Sequence, residues 1–167
     1  MNIRNLSLFT APFLALIPLL TPGVAGSVQS LSDQEESTSD ESKALDVARA
    51  YLAGISGGNE LDKLDGLFVP GDRSSVYENG SDEGDWLHYK EHHLAPEQEH
   101  VENFRFTTNK EGVERLGEGF LVRHVGGFTL DLEDETRSYR AAVSFVLVPV
   151  EDDLRILHLH WSSRQRP

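Results

Sequence analysis

The second half of the chain is dominated by long runs of branched and aromatic residues that predict β-strands. The runs cover 101–108, 113–125, 128–132, 138–150 and 154–163. Short stretches rich in Gly, Asn, Asp and Glu separate them and are typical of turns. Branched and aromatic residues fit a pleated surface, and short polar breaks allow the chain to reverse. Consecutive strands joined in this way predict an antiparallel meander.

Short helices are predicted ahead of the strands. Apolar residues recur at helical spacing in 44–55 and again in 61–68, which is the pattern of a helix with one buried face. A third helix is predicted over about 82–94, because Pro96 disfavours helical geometry in the residue before it. Residues 75–77 predict a short strand. Helices followed by an antiparallel sheet indicate the α+β class.

The N-terminal region has the features of an export signal and a tether. Residues 6–20 are almost wholly apolar and small residues follow at 24–26. The apolar run of about 15 residues is shorter than the ~20 that a bilayer-spanning helix needs, so we predict a cleaved signal peptide over 1–26 and a secreted or periplasmic protein, with an uncleaved anchor as the alternative. Residues 27–42 are Ser-rich and acidic and predict a disordered linker. The folded domain is then predicted to cover 43–167.

Charge and cysteine content exclude several function classes. The chain has 15 Lys+Arg against 28 Asp+Glu, a formal net charge of -13. This balance argues against nucleic acid as a partner and, once the signal is removed, against an anionic membrane surface. The absence of cysteine excludes a disulfide framework, a thiolate metal site and a cysteine nucleophile.

The last predicted strand carries two histidines on one face. Strict alternation from residue 154 places His158, His160 and Ser162 on the same face as Ile156. Because Ile156 is apolar, this face is predicted to point toward an interior or a cavity. Arg140 in the preceding strand is predicted to lie on the same concave side.

The third predicted helix offers a matching set of side chains. Trp86, Tyr89 and His93 follow the i, i+3, i+7 stripe that should face the sheet. Glu97 shares the face of His93 if the helix continues past Pro96. Together with the strand residues, these side chains predict a pocket lined by Trp86, Tyr89, His93, Arg140, His158, His160 and Ser162.

Three interpretations of this cluster remain open. His93, His158 and His160, with Glu97 as a fourth ligand, resemble the donor set of a zinc or copper site. Alternatively, His93 or His158 acts as a general base, since imidazole titrates near neutral pH, while Arg140 binds an anion. In the third interpretation the histidines are hydrogen-bonded structural residues.

The opposite face of the last strand predicts an oligomer. Leu157, Leu159 and Trp161 form an apolar row there, and the helices suffice to cover only one face of the sheet. A homodimer through the outer sheet face is therefore expected, with a second layer in the same chain as the alternative.

Three segments together resemble the nuclear transport factor 2-like superfamily, in its SnoaL-like secreted bacterial branch. They are the first helix ending at Tyr51-Leu52, residues 86–97 (WLHYKEHHLAPE) and residues 154–162 (LRILHLHWS). In this chain Leu154 replaces the usual aromatic residue, and residues 151–153 (EDD) replace the usual Gly-containing hairpin. The resemblance implies a cone, in which a strongly curved antiparallel sheet wraps around a long helix and encloses a pocket, often with a dimer across the outer sheet face.

The resemblance does not fix an activity, because the superfamily includes isomerases, cyclases, dehydratases and noncatalytic modules. The leading hypothesis from the sequence is binding of a small ligand or a metal ion in a His-lined cavity. The alternatives are a proton-transfer or hydration/dehydration enzyme without a redox cofactor, and a noncatalytic dimerisation module.

Overall fold

The computed structural model describes residues 27–56, 61–132 and 135–167. The segment predicted to be a signal peptide, 1–26, lies outside these residues. In the described part of the chain, no helix combines the length and the apolar character needed to cross a membrane.

The described residues form helices followed by a sheet, as the α+β prediction requires. The helices are α1 (Ser27–Ser56), α2 (Trp86–Tyr89) and α3 (Ala95–Gln98), with 3-10 helices at Leu61–Leu67 and Gly71–Arg73 and a π-helical turn at Lys90–Leu94. The strands are β1 (Ser75–Glu78), β2 (Ser81–Asp82), β3 (Glu102–Leu116), β4 (Gly119–Asp131), β5 (Thr136–Val150) and β6 (Asp153–Gln165).

These strands form a single curved sheet in the order β2-β1-β6-β5-β4-β3. The long strands β3 to β6 pair antiparallel as a meander, whereas β1 pairs parallel with β6. The parallel pairing places Val76 beside Leu159 and Glu78 beside Trp161. Two strands that are far apart in the sequence, β1 and β6, therefore form one wall of the interior.

The first part of the meander consists of two strands, β3 and β4, where the sequence predicted the three segments 101–108, 113–125 and 128–132. The predicted break at 109–112 is a bulge in β3, between Thr108 and Lys110, and the predicted break at Gly126-Gly127 lies inside β4. A Cβ at Gly126 would stand 2.0 Å from the carbonyl oxygen of Thr107. Glycine is required there because the neighbouring strand approaches closely, not because the chain turns. The bulges add local twist and bend to the sheet.

Helix α1 crosses the concave face of the sheet and begins earlier than expected. Its buried face consists of Ala44, Ala48, Tyr51, Leu52 and Ile55, as the helical spacing predicted. The helix starts at Ser27, so the structure describes as helical the residues 27–42 for which the sequence predicts a disordered linker. Near the end of that stretch, Asp40 is held by Lys43 at 3.1 Å and by Arg115 of β3 at 3.3 Å.

The helix predicted over 82–94 begins later and continues past Pro96. It runs through α2, the π-helical turn and α3 without interruption, from Trp86 to Gln98. Asp85 caps its start, with a carboxylate oxygen accepting from the His88 N–H at 2.9 Å. The π-helical turn precedes Pro96, which lacks an N–H and crowds the preceding turn. The wider turn lets the helix continue, so Glu97 lies on the same side as His93.

A bulge in β6 determines which side chains of the last strand enter the core. Val146 pairs with His158, but Leu147 pairs with Ile156, so Leu157 is an extra residue on β6. The bulge reverses the alternation at that point. Ile156, Leu159 and Trp161 are consequently all buried, and the prediction that His158 and His160 share the face of Ile156 is wrong.

The interior also contains one fully buried histidine. His124 of β4 is 0% exposed, and its Nδ1 lies 3.2 Å from the Thr108 hydroxyl. Its Nε2 is buried with no hydrogen-bond partner among the described residues. Burial lowers the pKa of His124, opposed by the Glu111 carboxylate and reinforced by the Arg49 guanidinium. The neutral imidazole is therefore the form that the fold accommodates.

Because the pKa of His124 is lowered on folding, the protein should lose stability as the pH falls. The unfolded chain takes up a proton as the pH drops below the ordinary value of 6.5, whereas the folded chain resists it. We expect the free energy of unfolding, measured by urea denaturation, to fall by about 1 kcal/mol per pH unit from this group below that pH. In a His124→Leu variant, the free energy of unfolding should fall less steeply with decreasing pH than in the wild type. The control His100→Leu, a change at an exposed position, should keep the slope of the wild type. A decline of equal slope in the two variants would contradict this assignment.

Candidate functional site

A cavity of about 590 Å³ lies between α1, the helix running from α2 to α3, and the sheet. Its volume falls in the range of roughly 300–1,000 Å³ typical of small-molecule sites. Six aromatic side chains, each from a different element, line it: Tyr51, Tyr89, Phe104, Phe128, Tyr139 and Trp161. The carboxylates of Glu78 and Glu97 also reach the cavity, and the described lining residues include no lysine, arginine or histidine.

The more enclosed of the two carboxyl groups that line the cavity belongs to Glu78. Glu78 and Val76 alternate inward from β1, and the Glu78 side chain is 15% exposed. The Tyr89 hydroxyl donates to Glu78 Oε2 at 2.5 Å. Tyr51 is fully buried; burial and then the Glu78 carboxylate raise the pKa of its hydroxyl, and the neighbouring Tyr89 hydroxyl opposes this shift. All three side chains line the cavity.

The surroundings of Glu78 favour its neutral form. Burial raises the pKa of its carboxyl, and the nearby carboxylates of Glu97 and Glu83 raise the pKa further. The Tyr89 hydrogen bond and His93 oppose this shift without cancelling it. A carboxyl with a raised pKa holds a proton more readily than a solvated carboxyl, and its ionised form is the stronger base.

His93 stands beside this carboxyl, within a group of three glutamates. Its Nε2 lies 3.5 Å from Glu78 Oε2 and 3.3 Å from Glu97 Oε1, and its Nδ1 lies 3.3 Å from Glu83 Oε2. The contact with Glu97 spans one helical turn and exists because the helix continues beyond Pro96. The predicted proximity of His93 and Glu97 is thus present in the structure, although His93 does not itself line the cavity.

Of the other residues predicted from the helix, Tyr89 lines the cavity and Trp86 does not. Trp86 is 2% exposed and stacks on Phe68 with ring centroids 4.2 Å apart. Its indole N–H donates to Asp65 at 2.8 Å. Trp86 is therefore a core residue that supports Tyr51 and the helix rather than a ligand contact.

The predicted site residues on β5 and β6 lie on the outer face of the sheet. His158 Nδ1 is 2.8 Å from the Ser75 hydroxyl, and its ring lies near Tyr77; burial and then His160 lower its pKa. His160 and Ser162 are exposed, and so is Arg140. These residues do share one face, as predicted, but the bulge at Leu157 makes it the convex one.

The predicted metal set is consequently divided between two sides of the sheet. His93 and Glu97 are on the helix side, whereas His158 and His160 face outward. Among the described residues, no group of three or more His, Cys, Asp or Glu side chains is arranged to hold a metal ion.

The apolar row of β6 that was expected to form a dimer interface faces the interior of the protein, not its outer surface. Leu159 and Trp161 are buried, and Trp161 packs against Phe106 and Phe128 with ring centroids 5.4 and 5.6 Å apart. The row therefore belongs to the core. Dimerisation through the outer sheet face stays a prediction without that support.

Sequence reasoning missed two residues of this site, Glu78 and Tyr51. Glu78 ends a strand of only four residues, and its inward direction follows from the parallel pairing of β1 with β6. A carboxylate two positions after a buried valine was the available signal. Tyr51 was placed correctly on the buried face of α1, but its hydroxyl was not connected to the pocket.

The similarity of this chain to known proteins is found in its structure and not in its sequence. The sequence matches no protein-family model and no curated protein at a significant level. A nuclear transport factor 2-like superfamily protein from Salmonella enterica superposes with a TM-score of 0.70 at 16% identity, covering 78% of this chain and 94% of the other. A protein with a cystatin-like fold from Novosphingobium aromaticivorans gives a TM-score of 0.66 at 10% identity, covering 83% and 90%.

The chain has the nuclear transport factor 2-like fold. This confirms the fold predicted from the sequence, whereas the secreted branch of the superfamily stays a prediction. Another structure with the nuclear transport factor 2-like fold is described as a candidate dehydratase from Streptomyces avermitilis; its TM-score is 0.65 at 14% identity, covering 76% of this chain and 97% of the other. At these identities the similarity establishes the fold alone.

Proposed function

We propose that the protein binds a small, largely apolar molecule in the cone cavity and catalyses proton transfer on it, with Glu78 as the acid–base group. The observation that carries this proposal is the carboxyl of Glu78, enclosed in an aromatic cavity wall with a raised pKa. Perturbed carboxyls in concave sites are typical of general acid–base catalysts. The proposal replaces the predicted histidine base with a carboxylate that His93 contacts.

The neighbours of Glu78 have distinct tasks in such a reaction. The carboxylate form takes a proton from a carbon atom of the ligand, and the neutral form returns it to the same molecule or to a leaving group. The Tyr89 hydroxyl donates a hydrogen bond to one oxygen of the carboxyl and holds it in place. His93 Nε2 lies 3.5 Å from the same oxygen and limits the rise in the pKa of Glu78. Isomerisation and elimination of water are the reaction classes that need only these steps.

The charge of the cavity restricts the ligand. Two acidic side chains and no described lysine, arginine or histidine line it, so the described walls offer no positive charge to a carboxylate or phosphate ligand. Six aromatic rings provide apolar surface, and rings of this kind also bind cations on their faces. A neutral or cationic molecule of aromatic character fits these walls best. The candidate dehydratase of Streptomyces with the same fold supports a reaction of the elimination type.

Base catalysis in the cavity can be tested without knowledge of the natural ligand. The neutral bicyclic compound 5-nitrobenzisoxazole loses one ring-carbon proton to a base, its N–O bond breaks, and a coloured cyano-nitrophenolate forms. We expect the protein to accelerate this reaction about 100-fold or more over an equal concentration of acetate, with saturation, because the cavity combines proximity with a desolvated base. The rate should rise with pH as Glu78 ionises, with a midpoint above the ordinary glutamate value of 4.5. A rate no higher than that of acetate would overturn the proposal.

A further inference from the structure

The arginines of the described residues divide into paired and unpaired sets. Those paired with a carboxylate are Arg49, Arg115, Arg123, Arg137 and Arg155. Those for which the described residues provide no carboxylate partner are Arg73, Arg105, Arg140, Arg164 and Arg166. The chain has 28 Asp+Glu and a net charge of -13. Because carboxylates outnumber cationic side chains, we expect most arginines to have a carboxylate neighbour.

Four of the five unpaired arginines lie together on the outer face of the sheet. In one row across the strands, Gly127 pairs with Arg140, and Arg140 pairs with Arg164. In the next row, Arg105 pairs with Thr129. The backbone N–H of Arg166 donates to the Ser138 carbonyl at 2.8 Å in that same row. We call Arg105, Arg140, Arg164 and Arg166 the arginine patch.

Hydroxyl groups complete the surface around these arginines. Thr107 pairs with Gly127, and Thr129 pairs with Ser138, so the two rows contain three hydroxyl side chains. No aspartate or glutamate occupies any of the eight positions of the two rows, which are 105, 107, 127, 129, 138, 140, 164 and 166. The patch therefore offers hydrogen-bond donors and positive charge without an internal counter-ion.

A cleft of about 250 Å³ opens within the patch, and Arg105 and Arg166 both line it. Thr107, Thr129 and Ser138 also line the cleft, and Gly127 is among its lining residues. A Cβ at Gly127 would lie 2.8 Å from a guanidinium nitrogen of Arg166 and 2.4 Å from the Tyr139 carbonyl oxygen. The glycine thus allows the Arg166 guanidinium to lie across the strand beside the cleft.

We propose that this cleft is a second binding site, separate from the cone cavity, that takes a phosphate group. A guanidinium presents a planar fork of donors that matches phosphate oxygens, and hydroxyl groups donate to the remaining oxygens. Two arginines lining one cleft match the double charge of a phosphate monoester. The space exceeds that of a single phosphate ion, so a phosphate ester or a diphosphate fills it better. The site does not depend on proton transfer at Glu78.

The test is calorimetric titration of the full chain with inorganic pyrophosphate at constant ionic strength. We expect saturable binding to the wild type, weakened about five- to tenfold in Arg166→Gln and in Arg105→Gln, because each change removes one charge-assisted contact. The matched control is Arg73→Gln, which removes an exposed, unpaired arginine on the 3-10 helix Gly71–Arg73. This control should bind pyrophosphate within about twofold of the wild type.

Three results would overturn the proposal. One is the absence of saturable pyrophosphate binding to the wild type. Another is an equal loss of affinity in Arg73→Gln, which would mean that only the overall charge matters. The third is displacement of pyrophosphate by equimolar acetate, which would mean that the cleft does not distinguish phosphate from a simple carboxylate. None of these results affects the assay for the base in the cone cavity.

Discussion

Replacing Glu78 by glutamine is expected to reduce proton abstraction from 5-nitrobenzisoxazole by about 10²–10³-fold. The amide has nearly the same shape as the carboxyl, and its carbonyl oxygen can still accept the hydrogen bond from the Tyr89 hydroxyl, but it cannot take a proton. The loss therefore reports the contribution of a positioned base, which is typically 10²–10⁴-fold. Initial rates at saturating compound measure the effect, since binding to the aromatic walls is left in place.

Two control variants make this result specific. Glu118→Gln removes an exposed carboxylate in the turn between β3 and β4, and its rate should equal that of the wild type. Glu97→Gln removes the other carboxylate of the cavity, which is 61% exposed, and its rate should change by less than about threefold because a solvated carboxylate is a weaker base. Retention of the full rate in Glu78→Gln, or a larger loss in Glu97→Gln, would contradict the assignment of the base.

The fold was predictable because its signals are local. Apolar spacing located the buried face of α1, and runs of branched residues located most of the long strands. The resemblance of 86–97 and 154–162 to the nuclear transport factor 2-like superfamily then predicted the cone, and the structure comparisons confirm that fold. Each of these signals depends on residues within a few positions of one another.

The site was less predictable because one inserted residue changes it. Leu157 looks like any other apolar residue of a strand, yet the bulge at this position reverses every side chain that follows it in β6. A shift of one residue moves a whole set of side chains to the other face. Strict alternation therefore predicts His158 and His160 in the pocket and Trp161 on the outer surface, whereas the structure has the opposite arrangement.

The carboxyl at the centre of the site depends on contacts that the sequence does not display. Glu78 points inward because β1 pairs parallel with β6, about 80 residues later in the sequence. His93 reaches Glu97 because a π-helical turn carries the helix through Pro96, where the rule for the residue before proline predicts an end. Both features arise from tertiary structure, and local pattern rules do not anticipate them.

The bulge at Leu157 places the Trp161 side chain in the core, and the contribution of this side chain to stability can be measured directly. Trp161 is 5% exposed and packs among Phe104, Phe106 and Phe128. Its replacement by alanine removes a large buried ring and leaves a cavity that the curved sheet cannot fill. We expect Trp161→Ala to lower the free energy of unfolding by about 3–5 kcal/mol.

Tyr77 is the matched control for this substitution, because it is an aromatic residue on the outer face. Its side chain is 39% exposed and contacts the His158 ring and the Asp82 carboxylate, so Tyr77→Ala should cost about 1 kcal/mol or less. Urea denaturation of the two variants, followed by circular dichroism, gives both values on one scale. If Tyr77→Ala were the more destabilising change, the last strand would present its other face to the core. The aromatic cavity around Glu78 would then lose the wall that Trp161 provides.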